Sequence, residues 1–543
     1  MLRVEGNIVD IHRREIFPGE IVVRDGVITH IHHRESAPPH FILPGFIDAH
    51  IHVESSMLAP AELSRAATVH GTVATVSDPH EIANVLGLEG VKYMIAEARK
   101  AALKIFYGAP SCVPATSFEI AGATLDLAAV EQLLALPDIF YLSELMNFPG
   151  VLAGDPSLLA MIAAAKKYGK PVDGHAPQLR AEAAAAYSSA GISTDHECTT
   201  LEEAQDKIAA GMMILIREGS AARNYDALEQ LLFDFPERCM FCSDDLHPDS
   251  LVLGHINRLV KRAVAAGVPL FSVLDAACKN PVKHYRLPVG LLREGDPADF
   301  IVVRDLKDFE VLQTSINGQI VAENGRSLRP YQAPALINRF TALPIKPADL
   351  KVPATASEVL VNVIVAEDEQ LITGAAQFPM QAAHGELPCN LARDILKIVV
   401  LNRYQPAPPA VAFIQNFGLK QGAIASSVAH DSHNIVAVGA NDDSLAKAIN
   451  LIIANQGGIC AVSENEQRIL PLPIAGLMSD REISEVGPAY AAIEELARTM
   501  GSTLKAPLMA LSFMALLVIP ELKLSDRGLF DVRKFGFVPL IAD

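Results

Sequence analysis

Positive charge is scarce in this sequence: 45 lysine and arginine residues stand against 63 aspartate and glutamate residues, and the net charge is −18. An extended polyanion such as DNA or RNA needs a basic stripe that neutralises its phosphates. The sequence has no such stripe, so we expect no nucleic acid partner. A small neutral substrate remains compatible with an acidic chain.

Cysteine is also sparse, with seven residues scattered along the chain. An odd, irregularly spaced set does not make a disulfide framework, and it indicates a reducing, cytoplasmic compartment. Cys239 and Cys242 form a CxxC motif inside an apolar, strand-like run. Residues three apart on a strand face opposite ways, so we interpret these two as buried residues and not as a redox or zinc pair.

Long apolar runs are missing. The longest, PLMALSFMALLVIP, extends from Pro507 to Pro520, and a membrane-spanning helix needs about 20 apolar residues. We therefore expect a buried core segment there and no membrane partner. The N-terminus has no continuous apolar stretch of the signal-peptide kind.

The pattern that is present from Phe41 to Leu246 alternates short apolar runs with helical, alanine-rich stretches. The helical stretches carry apolar residues at three- and four-residue spacing. Eight such units predict a (β/α)₈ TIM-like barrel, with a doubly wound open sheet as the alternative. The barrel is favoured because nearly every run ends in His, Asp or Glu, and barrel active sites lie at the C-terminal ends of the strands.

The chain is long enough for two or three domains. Residues 40–285 would form the barrel. Residues 1–39 and 286–335 both carry short β elements, and we predict that they pair into one small β domain. Residues 350–543 alternate β-like and helical runs, which predicts a C-terminal α+β domain that could cover the barrel mouth.

Six residues with side chains that bind metals follow these runs. His50 and His52 lie on the same side of the first strand, because alternate residues share a face. The full set is His50, His52, Glu144, His175, His196 and Asp244. Each could instead be a polar residue where a strand meets solvent. Their repeated position at strand ends favours a site for two divalent ions with a shared carboxylate.

The motifs PGFIDAHIH and GLLREGDPADFIVV resemble segments of the amidohydrolase superfamily. Common two-metal members of that superfamily use a carboxylated lysine on strand four, where this chain has Glu144. IDAHIHVESSM, SDPHEIANV, YLSELMNFPG, DGHAP, DHECT, SDD and AHDSHNI together resemble the adenine deaminase family, over nearly the whole chain.

This resemblance implies hydrolytic deamination of free adenine to hypoxanthine and ammonia, a purine salvage reaction. It implies that His50, His52 and Asp244 hold one ion, that His175 and His196 hold the other, and that Glu144 bridges them. The ions would be manganese or iron(II), with zinc as the third choice, and the enzyme would be a homo-oligomer, specifically a dimer.

For the chemistry, Asp244 is suited to take a proton from the attacking water and pass it to the leaving amine. Glu197 and His80 are the candidates for protonating ring nitrogen 1. Glu197 could instead orient a metal ligand, and His80 with Glu81 could cap a helix or form a loop.

Several further residues are candidates for substrate binding, each with a structural alternative. Glu54 or Ser55 would contact the purine or orient a ligand, or the two residues simply precede a helix that begins near Pro60. Arg217 binds substrate or forms an ion pair.

The AHDSHN cluster contributes three more candidates. His430, Asp431 and His433 form an ordinary turn, or they reach the active site from a domain that folds over it.

Three other functions compete. A cyclic-amide hydrolase of the same superfamily, such as a dihydroorotase or hydantoinase, would share the metals, but Glu144 and the extra C-terminal domain count against it. A non-catalytic scaffold on this fold should have lost ligands. A deaminase acting on nucleic acid would need a basic channel and a different zinc motif.

Overall fold

The computed structural model describes residues 1–220, 222–368 and 370–542. Eight parallel strands in these ranges form a barrel, and each is followed by helical segments. The strands are Phe46–Ile51, Thr72–Ser77, Lys104–Ala109, Ile139–Leu145, Val172–Gly174, Thr194–Asp195, Met213–Arg217 and Cys239–Cys242. The prediction of a (β/α)₈ barrel is confirmed, and the open sheet is not what forms.

Hydrogen bonds close the barrel between its first and last strands. The Asp244 backbone N–H donates to the His50 carbonyl at 2.9 Å, and the His52 N–H donates to the Asp244 carbonyl at 3.2 Å. Asp244 takes a left-handed conformation with φ 56°, which aspartate tolerates better than most residues. The closure therefore brings two predicted metal-binding segments side by side.

The helices of the barrel surround these strands and pack their apolar faces against them. Helix Pro60–Thr68 begins at the predicted proline. The others are His80–Leu86, Leu88–Ala98, Leu127–Leu134, Phe148–Leu152, Pro156–Lys167, Ala181–Ala190, Leu201–Ala209, Tyr225–Leu228, Leu231–Asp234, Pro248–Leu253, Ile256–Ala265, Leu270–Leu274 and Asn280–Tyr285, with short 3₁₀ turns at Val53–Ser56 and Pro236–Arg238 and a π-helical turn at Asp275–Lys279.

Both flanks of the barrel contribute to one eight-stranded sheet. Its strands, in spatial order, are Arg326–Ser327, Gln319–Glu323, Val311–Ile316, Phe300–Val303, Phe41–Pro44, Leu2–Asp10, Glu15–Arg24 and Val27–His33. We predicted a single barrel run beginning at Phe41, and that was wrong. Strand Phe41–Pro44 belongs to this sheet, pairing with Leu2–Asp10 and Phe300–Val303, and the barrel begins at Phe46.

The C-terminal region contains a second eight-stranded sheet. The spatial order is Thr373–Gln381, Glu358–Ala366, Ala410–Gln415, Ile395–Leu401, Ile435–Gly439, Ala423–Ser426, Gly458–Val462 and Gln467–Pro471. Helices Asp442–Ala454 and Ile483–Thr499 pack on it, and short turns lie at Pro347–Leu350 and Leu391–Arg393. A small sheet of Leu522–Ser525, Gly528–Asp531 and Gly536–Phe537 follows.

The run from Pro507 to Pro520 is a short helix, Pro507–Ser512, followed by turns, and most of its side chains are buried, as predicted. Cys239 and Cys242 are both free and buried, and they pack into two different apolar clusters. Within the described residues, no helix is long and apolar enough to cross a membrane.

Candidate active site

The six predicted ligand residues meet in one cluster at the C-terminal ends of the barrel strands, and all of them except the half-buried His175 are buried. Glu144 lies at its centre. One carboxylate oxygen, Oε1, is 3.3 Å from His52 Nε2. The other, Oε2, is 2.8 Å from His175 Nδ1 and 3.2 Å from His196 Nε2. Glu144 thus presents one oxygen to each of the two predicted ligand sets.

Asp244 completes the first set. Its Oδ1 lies 3.4 Å from His50 Nε2 and 3.1 Å from His52 Nε2. Both ring nitrogens of His50 are buried, and neither makes a hydrogen bond to any described residue. A buried polar atom normally has a partner, so these nitrogens are suited to a ligand that is not a protein group.

The donor set fits divalent metal ions. Two groups of three, His50 with His196 and Asp244, and Glu144 with His175 and His196, have ligand atoms within 4.8 Å of one another. Imidazole and carboxylate ligands together suit zinc, iron and manganese.

Arg217 controls the charge on the outer side of the cluster. One guanidinium nitrogen, Nη1, donates to Asp244 Oδ2 at 2.5 Å and also to Glu197 Oε1. Burial alone would raise the pKa of the Asp244 carboxyl, but Arg217 and the neighbouring His50, His52 and His196 hold it well below its usual range. Burial likewise opposes ionisation of Glu197, yet Arg217, His175 and His196 lower its pKa to about 2.

The second barrel strand adds a histidine that the sequence singled out and an aspartate that it did not. His80 Nδ1 lies 3.0 Å from Asp78 Oδ2, and Ser143 Oγ donates to Asp78 Oδ1 at 2.7 Å. The same ring nitrogen of His80 is 3.4 Å from Glu144 Oε1. Asp78 follows its strand in the sequence SDPH, so the strand-end pattern that marked the other residues could have found it.

Glu81 joins the barrel to the C-terminal region. Its Oε1 lies 2.5 Å from His430 Nδ1, and its Oε2 contacts His433 Nε2. His433 Nδ1 accepts a hydrogen bond from the Ala429 backbone N–H. Nε2 of the neutral His433 ring must therefore carry the proton and donate to Glu81, so this nitrogen is not free to bind a metal ion.

Two buried polar atoms of the AHDSHN cluster make no hydrogen bond within the described ranges, namely His430 Nε2 and Asp431 Oδ2. Asp431 Oδ1 lies 3.9 Å from His80 Nε2. The His430 ring stacks on Phe513, with centroids 4.4 Å apart and an interplanar angle of 11°. These contacts bring the cluster to the active site, where its unpaired atoms remain available for a bound molecule.

Glu54 and Ser55 support neighbouring loops. Glu54 Oε1 accepts a hydrogen bond from the Ile82 backbone N–H at 3.1 Å, and Ser55 Oγ donates to Asp245 Oδ1 at 2.5 Å. Burial raises the pKa of Glu54 to about 7. Both residues lie on the 3₁₀ turn Val53–Ser56, directly after the two histidines.

One supporting pair was missed by the sequence analysis. Lys207 Nζ lies 2.9 Å from Asp195 Oδ1, and both side chains are fully buried. Asp195 accepts hydrogen bonds from the backbone N–H groups of Ala176 and Glu197, so it fixes the loops that carry His175 and His196. Lys207 lies on the buried face of helix Leu201–Ala209, but a lysine is rarely buried, so its residue type pointed to the surface and hid this role.

The site lines a small cavity of about 30 Å³, which we call the inner cavity. Predicted site residues form most of its lining, and apolar residues of the C-terminal region, among them Leu371, Phe513 and Leu516, form the rest. Of the predicted residues, Glu54, Ser55 and His433 do not line this cavity, nor does His50, which lies beneath it among the ligands.

Comparisons with known proteins cover the whole chain. Residues 41–321 match the family model described as the amidohydrolase family, and residues 370–536 match the one described as the adenine deaminase C-terminal domain.

Relatives named adenine deaminase match end to end. The Salinibacter ruber protein is 54% identical over 542 residues, covering 99% of each chain. The Sulfurovum sp. protein is 54% identical over 538 residues, again covering 99% of each. The Methanosarcina mazei protein is 49% identical over 554 residues, covering 100% of each.

Proposed function

This chain belongs to the adenine deaminase family of amidohydrolases, and on that premise we propose how its buried cluster performs the reaction. The protein is an enzyme that hydrolyses adenine to hypoxanthine and ammonia. The observation that carries the proposal is the central position of Glu144, with one oxygen toward each of two histidine sets.

The residues proposed to hold two divalent ions are His50, His52 and Asp244 for one, and His175 and His196 for the other, with Glu144 shared between them. When bound, the ions would supply Lewis-acid activation of the attacking water. Manganese or iron(II) is proposed, ahead of zinc, because the family resemblance favours them and the ligand types accommodate all three.

Asp244 is proposed as the base. Arg217 holds one of its oxygens at 2.5 Å, and this contact keeps the carboxylate ionised and fixed. It takes one proton from the water as oxygen bonds to carbon 6 of the purine. It then gives that proton to the amino group, which leaves as ammonia.

His80 is proposed to protonate ring nitrogen 1, which gains electron density as carbon 6 is attacked. The Nδ1–H of His80 donates to Asp78, so the proton that the imidazolium form of His80 can transfer is the one on Nε2. Burial alone would lower the pKa of His80, but Asp78 and Glu81 raise it well above the usual value. The proton remaining on the new hydroxyl returns to His80, so hypoxanthine forms with its carbonyl and all protons are accounted for.

Glu197 is proposed to orient Arg217 and not to donate a proton to the purine. It shares the guanidinium nitrogen of Arg217 with Asp244, and a carboxylate paired in this way holds its proton weakly. Its contribution is to fix Arg217, which in turn fixes the base.

Recognition of the purine is proposed to come from the C-terminal region. His430 Nε2 and Asp431 Oδ2 offer buried, unpaired groups that suit the ring nitrogens of a base. Glu81 and Phe513 fix His430 from two sides. A bound purine would form hydrogen bonds with these two atoms, which are otherwise buried without a partner.

The test is turnover of adenine by anaerobically purified protein loaded with manganese or iron(II), with hypoxanthine and ammonia both measured. Glu144→Gln should abolish metal-dependent turnover and lower the metal content per chain. Glu62→Gln is the matched control, because Glu62 is also buried but bonds Arg65 and the Ile483 N–H instead. Size-exclusion chromatography with light scattering tests the proposed dimer.

The full-length similarity does not favour a cyclic-amide hydrolase. If metal is bound but adenine is not converted, the metal site stands and the proposed substrate is wrong.

A further inference from the structure

A second, larger cavity lies beside the inner one. This outer cavity of about 280 Å³ lies between the barrel and the C-terminal region, and its lining includes Ser220, Arg223, His247, Tyr490 and Arg498. Leu371 and Phe513 line both cavities. We call these two residues the wall, because they separate the metal-binding cluster from the outer cavity.

The inner cavity is too small for the substrate. A volume of about 30 Å³ holds roughly two water molecules, whereas pockets for small ligands usually measure about 300 Å³ or more. A purine must therefore displace part of the lining. Of the residues that line the inner cavity, the two of the wall also border the outer cavity, whose volume is close to that of a small-ligand pocket.

One buried side chain holds both halves of the wall. Lys523 is fully buried, and its ammonium donates to the Leu371 carbonyl at 2.8 Å and to the Phe513 carbonyl at 3.0 Å. Leu371 and Phe513 are far apart in the chain, so the amino group of Lys523 joins two segments that are distant in sequence. Burial lowers the pKa of Lys523 to about 7.

The Phe513 segment is held at three successive carbonyls. The Ser512 carbonyl accepts from the His430 N–H at 2.9 Å, and the Met514 carbonyl accepts from the Leu524 N–H at 3.1 Å. Lys523 bonds the carbonyl between them. Because helix Pro507–Ser512 ends here, the positive charge also lies where the helix leaves carbonyls unpaired.

The wall also determines where a purine-binding group lies. Phe513 stacks on His430, so a shift of the phenyl ring removes the support of His430 Nε2. Leu371 is likewise linked to the segment before Lys523, since Thr373 exchanges backbone hydrogen bonds with Pro520 and Glu521 at 2.9 Å each.

We propose that Lys523 is a positioning residue for the reaction: it holds Leu371 and Phe513 in place as the wall, which shifts when adenine passes from the outer cavity to the metal-binding cluster. The proposal rests on the proposed function for its substrate, but the position of the wall can be measured without turnover.

The first test is Lys523→Met, which keeps the length of the side chain and removes the donor. The KM for adenine should rise about tenfold, the equivalent of one charge-assisted hydrogen bond, while kcat changes much less. Lys397→Met is the matched control. Lys397 is a buried lysine of the same region that bonds the Leu350 carbonyl and Asp442, so its loss should lower thermal stability and leave KM unchanged.

The second test uses the lack of tryptophan in this chain. Phe513→Trp introduces a single tryptophan into the wall, so emission excited selectively from tryptophan reports this position alone. Acrylamide should quench this tryptophan severalfold more when Lys523→Met is added, and no more than before when Lys397→Met is added.

Equal quenching in the three proteins, or a KM that Lys523→Met leaves unchanged, would overturn the proposal. A wild-type protein that does not convert adenine would instead refute the proposed function, and the quenching result would still report whether Lys523 holds the wall.

Discussion

Replacing Glu81 by glutamine separates metal binding from substrate binding at this site. The Glu81 carboxylate contacts His430 and His433 across 349 and 352 positions of sequence. Burial opposes its ionisation, but the two histidines and His80 hold its pKa well below the usual range. Glutamine keeps the shape of the side chain but loses its charge. Its N–H₂ group replaces one of the two carboxylate oxygens, so one of the two histidine N–H groups faces another donor and loses its acceptor.

The expected loss follows from these contacts. A hydrogen bond to a charged group contributes about 1.5–3 kcal/mol and a neutral one about 1 kcal/mol. Losing one bond of Glu81 and weakening the other costs about 3 kcal/mol, or roughly a hundredfold in kcat/KM. The metal content should stay at about two ions per chain, because no ligand of the proposed pair is touched.

The assay combines steady-state deamination of adenine with metal analysis of the same samples. Glu62→Gln is again the control, since Glu62 also links the barrel to the C-terminal region but lies away from the site. The reasoning is refuted if Glu81→Gln loses metal, which would make the cluster a metal site, or if kcat/KM stays within threefold of the wild type.

Three further predictions concern the base, its partner and a buried histidine. Asp244→Asn should lower kcat by roughly a thousandfold, as expected for loss of a general base, in the same deamination assay. Arg217→Met removes the cation that two buried carboxylates, Asp244 and Glu197, share and should destabilise the fold by about 3–5 kcal/mol, measured by urea unfolding. His247 is neutral in the fold because burial lowers its pKa to about 4. Since the unfolded state binds more protons between that value and about 6.5, unfolding free energy should fall as pH drops through this window, and His247→Gln should remove up to about 3 kcal/mol of that fall.

The sequence predicted what depends on local pattern. The last residues of a barrel strand lie at the mouth of the barrel. His50, His52 and Glu144 could therefore be placed at the mouth from their position at the end of an apolar run. The same signal applied to Asp78, which was overlooked. Strand Phe41–Pro44 was misplaced because an apolar run looks the same whether it joins a barrel or a flanking sheet.

Contacts between distant segments could not be predicted. Nothing in the sequence around Glu81 indicates His430, because that contact depends on how the C-terminal region docks. Lys523 stands in the polar stretch ELKLSD, where a lysine would ordinarily face solvent. Its burial follows from the small sheet that Leu522–Ser525 forms with Gly528–Asp531, which is a tertiary property.

The order of residues along the chain has a consequence during translation. The proposed metal ligands all precede Tyr285, the last residue of the last barrel helix, whereas Phe513 of the wall is added 228 residues later. At about 5–20 residues per second, this interval lasts roughly 10 to 45 s. The ligand side chains therefore exist during this interval without the residues that later cover them, so a barrel that folds at that stage would meet ions without the wall in place.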